Sequence, residues 1–267
     1  MSAATNPQQP GRVLISGGSR GIGFEVARDL ASSGHQLWLA ATTEKVHEAA
    51  RQLGTGHRAS RLDIADPRSV AAVFAEIRRE WHGLDAVIHS AAELGEAGNF
   101  WELDPEQFVR TSCVNVAGAF FVSRAFVQLW LRTAIQAGAR RGKIVLFGGG
   151  GAGYGYPQFL AYGTSKAADV RMCETMSMEL DAARIPIDVN IIAPGANDTA
   201  MLAAVRAAGG EVRTVVPFSK PIAICRWLLS SDSDGISGRF LHVNDTYSTL
   251  SPKALRAEAF RLRRIDP

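Results

Sequence analysis

The segment Val13-Leu14-Ile15-Ser16-Gly17-Gly18-Ser19-Arg20-Gly21-Ile22-Gly23 joins a short, β-branched apolar run to the start of a helical pattern. The run before Gly17 is typical of a buried strand, and residues 22–32 carry apolar side chains at helical spacing. In a sharp turn from strand to helix, Gly17 takes unusual dihedral angles, Gly21 lets the backbone approach a phosphate, and Gly23 lets the helix pack closely. The N-terminus of the helix then faces the anion. The segment therefore predicts a nucleotide-binding turn, with a plain glycine-rich turn as the alternative.

The same alternation of apolar runs and helical patterns continues along the chain. Strands are predicted over residues 13–16, 37–41, 59–62, 86–89, 143–147, 187–192 and 240–243. Helices are predicted over residues 22–32, 44–53, 67–81, 105–137, 161–183 and 221–230. Strands that are nearly continuous apolar runs, with helices between them, are typical of a parallel sheet covered on both faces. The chain is thus predicted to be a single-domain α/β protein with a Rossmann-type, doubly wound parallel sheet and helices on both faces.

The two ends of the chain differ from this pattern. Residues 1–10 are polar and are predicted to form a disordered N-terminus, whereas residues 11–250 are predicted to form one domain that binds the nucleotide and carries any catalytic residues. Residues 251–267 are predicted to be a helical tail, because Leu255 and Leu262 share one apolar face. We expect this tail either to pack on a neighbouring subunit or to be a solvated, frayed helix.

Composition excludes several classes of protein. The 267 residues are 46% hydrophobic and 21% charged, as in ordinary globular proteins, and a net charge of +3 is too small to indicate binding of nucleic acid or an anionic membrane. Cys113, Cys173 and Cys225 form no pair or Cys/His cluster, which argues against a disulfide framework or a metal site. The N-terminus lacks the apolar core of a signal peptide, and the apolar stretch 117–131, interrupted by Arg124, is too short to span a bilayer. The sequence predicts a cytoplasmic protein.

The residues after the second predicted strand indicate which dinucleotide binds. An acidic residue there bonds the ribose 2′-hydroxyl of NAD, whereas positive charge and hydroxyl groups suit the 2′-phosphate of NADP. The strand ends Ala41-Thr42-Thr43 without an acid, and Arg20 in the glycine turn supplies a cation. NADP(H) is therefore favoured and NAD(H) stays possible. The opposing interpretation is that Arg20 is only a solvated loop residue.

Six short motifs follow one another along the chain. They are Ser16 to Gly23, Asp63-Ile64, His89-Ser90-Ala91-Ala92, Asn115-Val116-Ala117-Gly118, Tyr162-Gly163-Thr164-Ser165-Lys166, and Pro194-Gly195 with Thr199 and Met201. In this order they resemble the glycine loop, the adenine-contacting acid, a diverged NNAG stretch, and the NVxG, YxxxK and PGxxxTxM motifs of the short-chain dehydrogenase/reductase family. The resemblance covers nearly the whole chain. It implies that family's fold, its nicotinamide cofactor and its usual assembly as a homodimer or homotetramer.

The resemblance and the glycine turn together predict the residues that contact the cofactor. They are Gly17, Ser19, Arg20, Gly21, Ile22, Gly23, Thr42, Thr43, Asp63, Ile64, Ser90, Ala91, Tyr162, Lys166, Pro194, Gly195 and Thr199. The histidines and cysteines have no metal-ligand spacing, so no metal site is predicted.

Tyr162 and Lys166 lie four residues apart, which places both side chains on one helix face. A free phenol titrates at about pH 10, and a neighbouring ammonium favours the phenolate, so we expect Lys166 to lower the pKa of Tyr162 toward neutrality. Tyr162 then exchanges a proton with the substrate oxygen while the cofactor exchanges hydride with the carbon. In the scheme that the resemblance implies, Lys166 also holds the nicotinamide ribose, and Asn115 anchors a water that links Lys166 to solvent. The alternative for Tyr162 is a core or interface tyrosine.

The catalytic serine of the family is missing. It stands thirteen residues before the tyrosine, where this chain has Gly149 within the run Gly148-Gly149-Gly150-Gly151, and residues 143–161 contain no serine or threonine. One directed donor to a developing oxyanion is typically worth about 10²–10³ in rate. Its replacement is predicted among the substrate-side groups, which are the backbone N–H of Gly149 or Gly150, the hydroxyls of Tyr154 and Tyr156, or a bound water.

These residues predict an NADP(H)-dependent oxidoreductase that interconverts a ketone and a secondary alcohol, with Tyr162 as the proton donor and acceptor. Its partner is predicted to be a small molecule, not nucleic acid or a membrane. Two other functions stay open. A nucleotide-binding pseudoenzyme, or a protein that regulates a partner, would bind the cofactor without turnover. An isomerase or dehydratase would use transient oxidation without net consumption of NADPH.

Overall fold

The computed structural model describes residues 10–133, 140–149, 151–212 and 215–263. The predicted disordered N-terminus lies outside the described residues except for Pro10, and Gly150 of the substrate-side group lies outside them as well.

The described residues form one α/β unit around a parallel sheet. Its seven strands are β1 (Arg12–Ser16), β2 (Gln36–Ala41), β3 (Arg58–Arg61), β4 (Ala86–His89), β5 (Gly142–Phe147), β6 (Ile187–Ala193) and β7 (Arg239–His242). They lie in the order β3-β2-β1-β4-β5-β6-β7, and every neighbouring pair is parallel. The predicted doubly wound sheet is therefore confirmed. The strand order reverses between β1 and β4, and a cleft at the carboxyl ends of such strands is where this class of fold binds ligands.

Helices cover both faces of the sheet and bury its apolar strands. Their bounds are α1 (Gly21–Ser32), α2 (Lys45–Gln52), α3 (Pro67–Trp81), α4 (Pro105–Ser112), α5 (Gly118–Thr133), α6 (Leu160–Ala182), α7 (Ala200–Ala207) and α8 (Ser219–Leu229). Side chains of α3, α5 and α6 share one core cluster with the sheet, and side chains of α1, α2 and α8 share the other. Because both faces are covered, the central strands need no polar alternation, which is why β1, β2 and β4 are almost entirely apolar.

Local sequence signals explain where the helices begin and end. Helix α3 starts after Asp66, whose carboxylate accepts the backbone N–H of Arg68 at 2.9 Å, and Pro67 occupies its first position. It ends at His82, which has a φ of +59°. The predicted range 67–81 agrees with α3 as found.

The predicted helix 105–137 is interrupted. Helix α4 is followed by a π-helical turn over Cys113–Ala117, and α5 then continues to Thr133, the last described residue before a gap. The combined run Pro105–Thr133 is, by length and composition, long and apolar enough to cross a membrane. The stretch 117–131, which is too short to do so, is only the central part of this run. Its inner side chains, including Val122 and Phe126, are nevertheless fully buried against the sheet, as in a core helix of a soluble protein.

The prediction of a helical tail is wrong for the described residues 251–263, which form turns. Their carbonyl groups are taken by the edge of the sheet: the Arg239 guanidinium donates to Arg256, Ala257 and Ala259, and the backbone N–H of Phe240 donates to Phe260 at 2.7 Å. The described part of the tail packs on its own chain, against β7. These hydrogen bonds from β7 compete with a helical i to i+4 ladder for the same carbonyl groups.

Candidate active site

The glycine turn lies at the carboxyl end of β1, directly against the residues that follow β4. Gly17 has a φ of +73°, and a Cβ built there would lie 2.7 Å from the backbone N of Ala91. A Cβ at Gly23 would lie 2.3 Å from Oγ of Ser90. Neither position has room for a side chain, and the backbone of Gly17 also favours glycine. The turn is therefore a close-packed cradle of bare backbone, as the sequence predicts.

Helix α1 begins at this turn with its first N–H groups uncapped. Its N-cap residue, Arg20, makes no side-chain cap hydrogen bond, and the first turn has no acidic residue. Uncapped N–H groups and the positive end of the helix dipole favour an anion. The cradle and the start of α1 together fit the pyrophosphate of a dinucleotide.

A cleft of about 960 Å³ runs from the glycine turn along the carboxyl ends of the central strands. The predicted cofactor residues that line it are Gly17, Ser19, Arg20, Gly21, Ile22, Gly23, Thr42, Asp63, Ile64, Ser90, Ala91, Tyr162, Lys166, Pro194 and Thr199. Two predicted residues, Thr43 and Gly195, do not line it. Glu93 and Arg110 line it without having been predicted, because no motif marks their positions in the sequence.

At the end of β2 the cleft has a hydroxyl and a cation but no available carboxylate. Thr42 and Arg20 both line it, and the Arg20 guanidinium pairs with no acidic side chain among the described residues. Glu44, the first acid after β2, pairs with Arg61 at 3.4 Å and with His47 at 3.5 Å. Thr42 and Arg20 are the polar groups that the end of β2 offers, and Asp63, which follows the neighbouring strand β3, also lines the cleft.

Tyr162 and Lys166 both line the cleft and are almost fully buried. Nζ of Lys166 donates to the carbonyl oxygen of Phe147 at 2.9 Å and to Oδ2 of Asp169 at 3.1 Å, and it lies 5.8 Å from the centroid of the Tyr162 ring. Burial lowers the pKa of Lys166, but Asp169 raises it, and the net direction is upward, so the amine stays charged.

The expected lowering of the pKa of Tyr162 is wrong in its net direction. Burial raises the pKa of this phenol above its ordinary value, the ammonium of Lys166 lowers it, and Asp169 raises it again. Burial and Asp169 together outweigh Lys166. Tyr162 is therefore a neutral phenol near neutral pH, the form that can donate a proton.

Asn115 does not line the cleft. Its side chain accepts the backbone N–H of Glu93 at 2.9 Å and donates to the carbonyl of Glu93 and to Oγ of Ser165, each at 2.9 Å. Ser165 in turn donates to the carbonyl of Tyr162 at 2.7 Å. The side chain of Asn115 thus clamps the π-helical turn to the segment after β4 and to the turn of α6 that carries Tyr162.

Gly149 stands directly against the hydroxyl of Tyr162. A Cβ built at Gly149 would lie 2.3 Å from Oη and 3.1 Å from Cζ of Tyr162. The phenol occupies the space that a side chain at this position would need. A serine at position 149 therefore requires the phenol of Tyr162 to move from its present position.

Aromatic and apolar side chains surround Tyr162 on the other side. Tyr156 stacks on Phe159 with ring centroids 4.9 Å apart, and Tyr154 meets Tyr156 edge-on at 6.4 Å. Phe159, Tyr162 and Val205 of α7 form a small core of their own. Of the predicted substrate-side tyrosines, Tyr156 is half-buried in this cluster and Tyr154 is exposed.

His89 lies at the end of β4 and is the diverged first residue of its motif. Its Nδ1 is 2.8 Å from Oγ of Ser16, and burial lowers the pKa of His89 to about 3, with Lys166 adding to that effect. The imidazole is therefore neutral and serves as a structural link between β1 and β4.

Known proteins are similar to this chain in sequence. The family model of short chain dehydrogenases matches residues 12–209. The chain is 31% identical over 192 residues to 2,3-dihydro-2,3-dihydroxybenzoate dehydrogenase from Bacillus subtilis, with 70% of each chain covered. It is 32% identical over 207 residues to versicolorin reductase 1 from Aspergillus parasiticus, with 75% of each chain covered.

A solved structure shows the same fold at lower identity. The 3-ketoacyl-(acyl-carrier-protein) reductase from Brucella melitensis, crystallised with NADH, superposes with a TM-score of 0.80 at 21% identity, covering 91% of this chain and all of that one. The family model spans the glycine turn, the cleft and the Tyr162–Lys166 pair. The chain belongs to the short-chain dehydrogenase/reductase family of nicotinamide-dependent oxidoreductases.

Proposed function

We propose that this chain is an NADP(H)-dependent oxidoreductase that interconverts a ketone and a secondary alcohol on a small molecule. The observation that carries the proposal is the shared cleft: the glycine cradle and the Tyr162–Lys166 pair line one continuous space. A nicotinamide cofactor bound there supplies or accepts the hydride. Isomerase or dehydratase chemistry would use the same groups, and no contact in the cleft favours it.

Tyr162 acts as the proton donor in the direction of reduction. Its phenol is buried and neutral, and it faces the cleft beside the amine of Lys166. Lys166 is held by Phe147 and Asp169, which use two of its three protons and leave the third for a ribose hydroxyl or for Tyr162. Asn115 supports the position of Tyr162 through Ser165. We also propose that Asn115 takes part in the proton relay that links Lys166 to solvent.

Position 149 is glycine, and the phenol of Tyr162 fills the space beside it, so the second donor to the substrate oxygen comes from another residue. The remaining side-chain candidates are Tyr154 and Tyr156, whose phenols interact with each other and with Tyr162. The other candidates for the second donor are a backbone N–H of the glycine run and a bound water. Any of these donates to a developing oxyanion as the family's serine does.

We expect Arg20→Ala to weaken the binding of NADPH by about tenfold or more and to leave the binding of NADH nearly unchanged, because a charge-assisted bond to the 2′-phosphate is lost. Fluorescence titration with both cofactors measures this. The matched control is Arg28→Ala on the same helix, where the guanidinium is exposed and pairs with Glu25. Equal losses for the two cofactors, or no loss for either, would contradict the assignment of Arg20.

Turnover is tested by mixing the chain and NADPH with a panel of aliphatic and aromatic ketones and following absorbance of the reduced nicotinamide. We expect NADPH to be consumed and a secondary alcohol to form in equal amounts. Binding of NADPH with no consumption across the panel, together with tight binding of another protein, would favour the pseudoenzyme. A product formed without net consumption of NADPH would favour an isomerase or dehydratase.

We also propose that the protein is a homodimer or homotetramer in the cytoplasm. An apolar face carries Phe108 and Val109 of α4 and Phe120 of α5 as exposed side chains, with Val116 of the π-helical turn and Met172 of α6 partly exposed beside them, and a second copy would cover it. Its cysteines are free, with Cys113 exposed, which suits a reducing compartment.

A further inference from the structure

A second buried charge lies three residues beyond Lys166 on α6. Asp169 is 2% exposed, and its Oδ2 accepts a hydrogen bond from Nζ of Lys166 at 3.1 Å. Its other oxygen, Oδ1, has no hydrogen-bond partner among the described residues. Lys166 is therefore not an isolated cation next to Tyr162 but one half of a buried ion pair, in which the two charges largely cancel at a distance.

Few other charges face this pair. From α6 itself it meets Tyr162 and Cys173, from β4 it meets His89, and from the loop after β5 Tyr154 and Tyr156 act on Tyr162. His89 is neutral, burial raises the pKa of the Cys173 thiol, and both are uncharged near neutral pH. Burial raises the pKa of Asp169, and the ammonium of Lys166 opposes that rise. After burial, which raises the pKa of Tyr162 most, the charges that act most strongly on this phenol are therefore those of Lys166 and Asp169.

We propose that Asp169 is a positioning residue that sets the pH range in which Tyr162 remains a protonated proton donor. It does so by cancelling the charge of Lys166 and by holding the amine against the carbonyl of Phe147. The role of Tyr162 in turnover rests on the proposed function, but the electrostatic coupling does not. The coupling shifts the pH dependence of each direction and leaves the overall equilibrium unchanged.

The sign of the effect follows from the charges. A carboxylate near a phenol disfavours the phenolate, whereas a lone ammonium favours it. Replacing Asp169 with asparagine removes one negative charge and keeps an oxygen that can accept from Lys166, so the geometry is retained. The phenolate of Tyr162 then becomes easier to form, and its pKa falls.

Direct titration of Tyr162 tests this without any substrate. The chain has four tyrosines, so NMR of protein labelled at tyrosine Cζ gives four signals, and Tyr162→Phe identifies the relevant one. We expect the midpoint of the Tyr162 signal in Asp169→Asn to lie about one pH unit or more below that of the wild type. The control Asp181→Asn, on the exposed far end of the same helix, should leave it unchanged.

A second variant keeps the test decisive if Asp169→Asn does not fold. The double variant Lys166→Met/Asp169→Leu replaces the pair by apolar side chains, a change that proteins often tolerate. If Asp169 cancels Lys166, the Tyr162 signal of the double variant titrates within about half a pH unit of the wild type, since the pair contributes little net charge. Folding of each variant is checked by circular dichroism.

The outcomes separate this inference from the proposed function. An unchanged Tyr162 midpoint in folded Asp169→Asn, including the case in which Lys166 loses its proton instead, overturns the inference whatever the enzyme turns over. A shifted midpoint with no carbonyl turnover supports the coupling and contradicts the proposed function. With an active enzyme, the alkaline limb of the NADPH-dependent reduction moves to lower pH in Asp169→Asn, and Asp169→Glu restores it.

Discussion

Gly149→Ser is expected to lower kcat/KM by about 10²-fold or more instead of restoring a missing donor. The Cβ of the new side chain would lie 2.3 Å from Oη of Tyr162, closer than non-bonded atoms approach each other. Tyr162 is 9% exposed and its ring packs with Phe159 and Val205, so the phenol has to move away from Gly149, toward the cleft that it lines. The displacement separates the proton donor from the point where the substrate oxygen must lie. Steady-state kinetics with NADPH and the best ketone of the panel measure the loss.

The matched control for this variant is Gly153→Ser in the same loop. A Cβ at Gly153 meets only Cε1 of Phe240 at 3.7 Å, and its backbone is not in the left-handed region. We expect its kcat/KM to stay close to that of the wild type. Overpacking at Gly149 should also lower the free energy of unfolding by about 1–3 kcal/mol, which thermal denaturation detects. A higher kcat/KM in Gly149→Ser than in the wild type would show that Tyr162 moves freely and that the chain is a degraded serine-type reductase.

Tyr162→Phe is expected to reduce turnover by about 10²–10⁴-fold while NADPH binding stays within a factor of about three. The substitution removes only the hydroxyl that gives the proton. The ring keeps its contacts with Phe159 and Val205, and Lys166 keeps its bonds to Phe147 and Asp169. Comparison of kcat with the dissociation constant of NADPH separates the loss of chemistry from a loss of binding.

Tyr247→Phe serves as the control, because Tyr247 lies away from the cleft and packs on Trp227 with ring centroids 5.3 Å apart. It should leave both kcat and NADPH affinity unchanged. If Tyr162→Phe retained turnover within a factor of about five, the proton would have to come from another group. The interpretation of Tyr162 as a core tyrosine would then be correct.

Most of the fold could be predicted because its signals are local. A buried parallel strand is a short apolar run, and the predicted ranges 86–89 and 143–147 differ by at most one residue from Ala86–His89 and Gly142–Phe147. Helix α3 carries its own start signal in Asp66 and Pro67. Such signals act between residues that are neighbours in the chain, so they are visible before folding.

The errors share a different origin. The tail was predicted to be helical, but its carbonyl groups bind Arg239, a residue well before them in the chain. The π-helical turn at Asn115 depends on bonds to Glu93 and Ser165. No periodicity records contacts of this kind, because each partner is supplied by a separate element.

The sequence by itself determined the doubly wound sheet, the glycine turn and the pairing of Tyr162 with Lys166, since each follows from spacing within one element. It also showed that serine is absent at position 149 without explaining why. The tertiary structure alone decided that the Tyr162 phenol fills the space beside Gly149 and that Asp169 offsets Lys166. Both depend on burial and on distances of a few ångströms between side chains. Steric exclusion and electrostatics act at those distances, and the chain defines them only once it has folded.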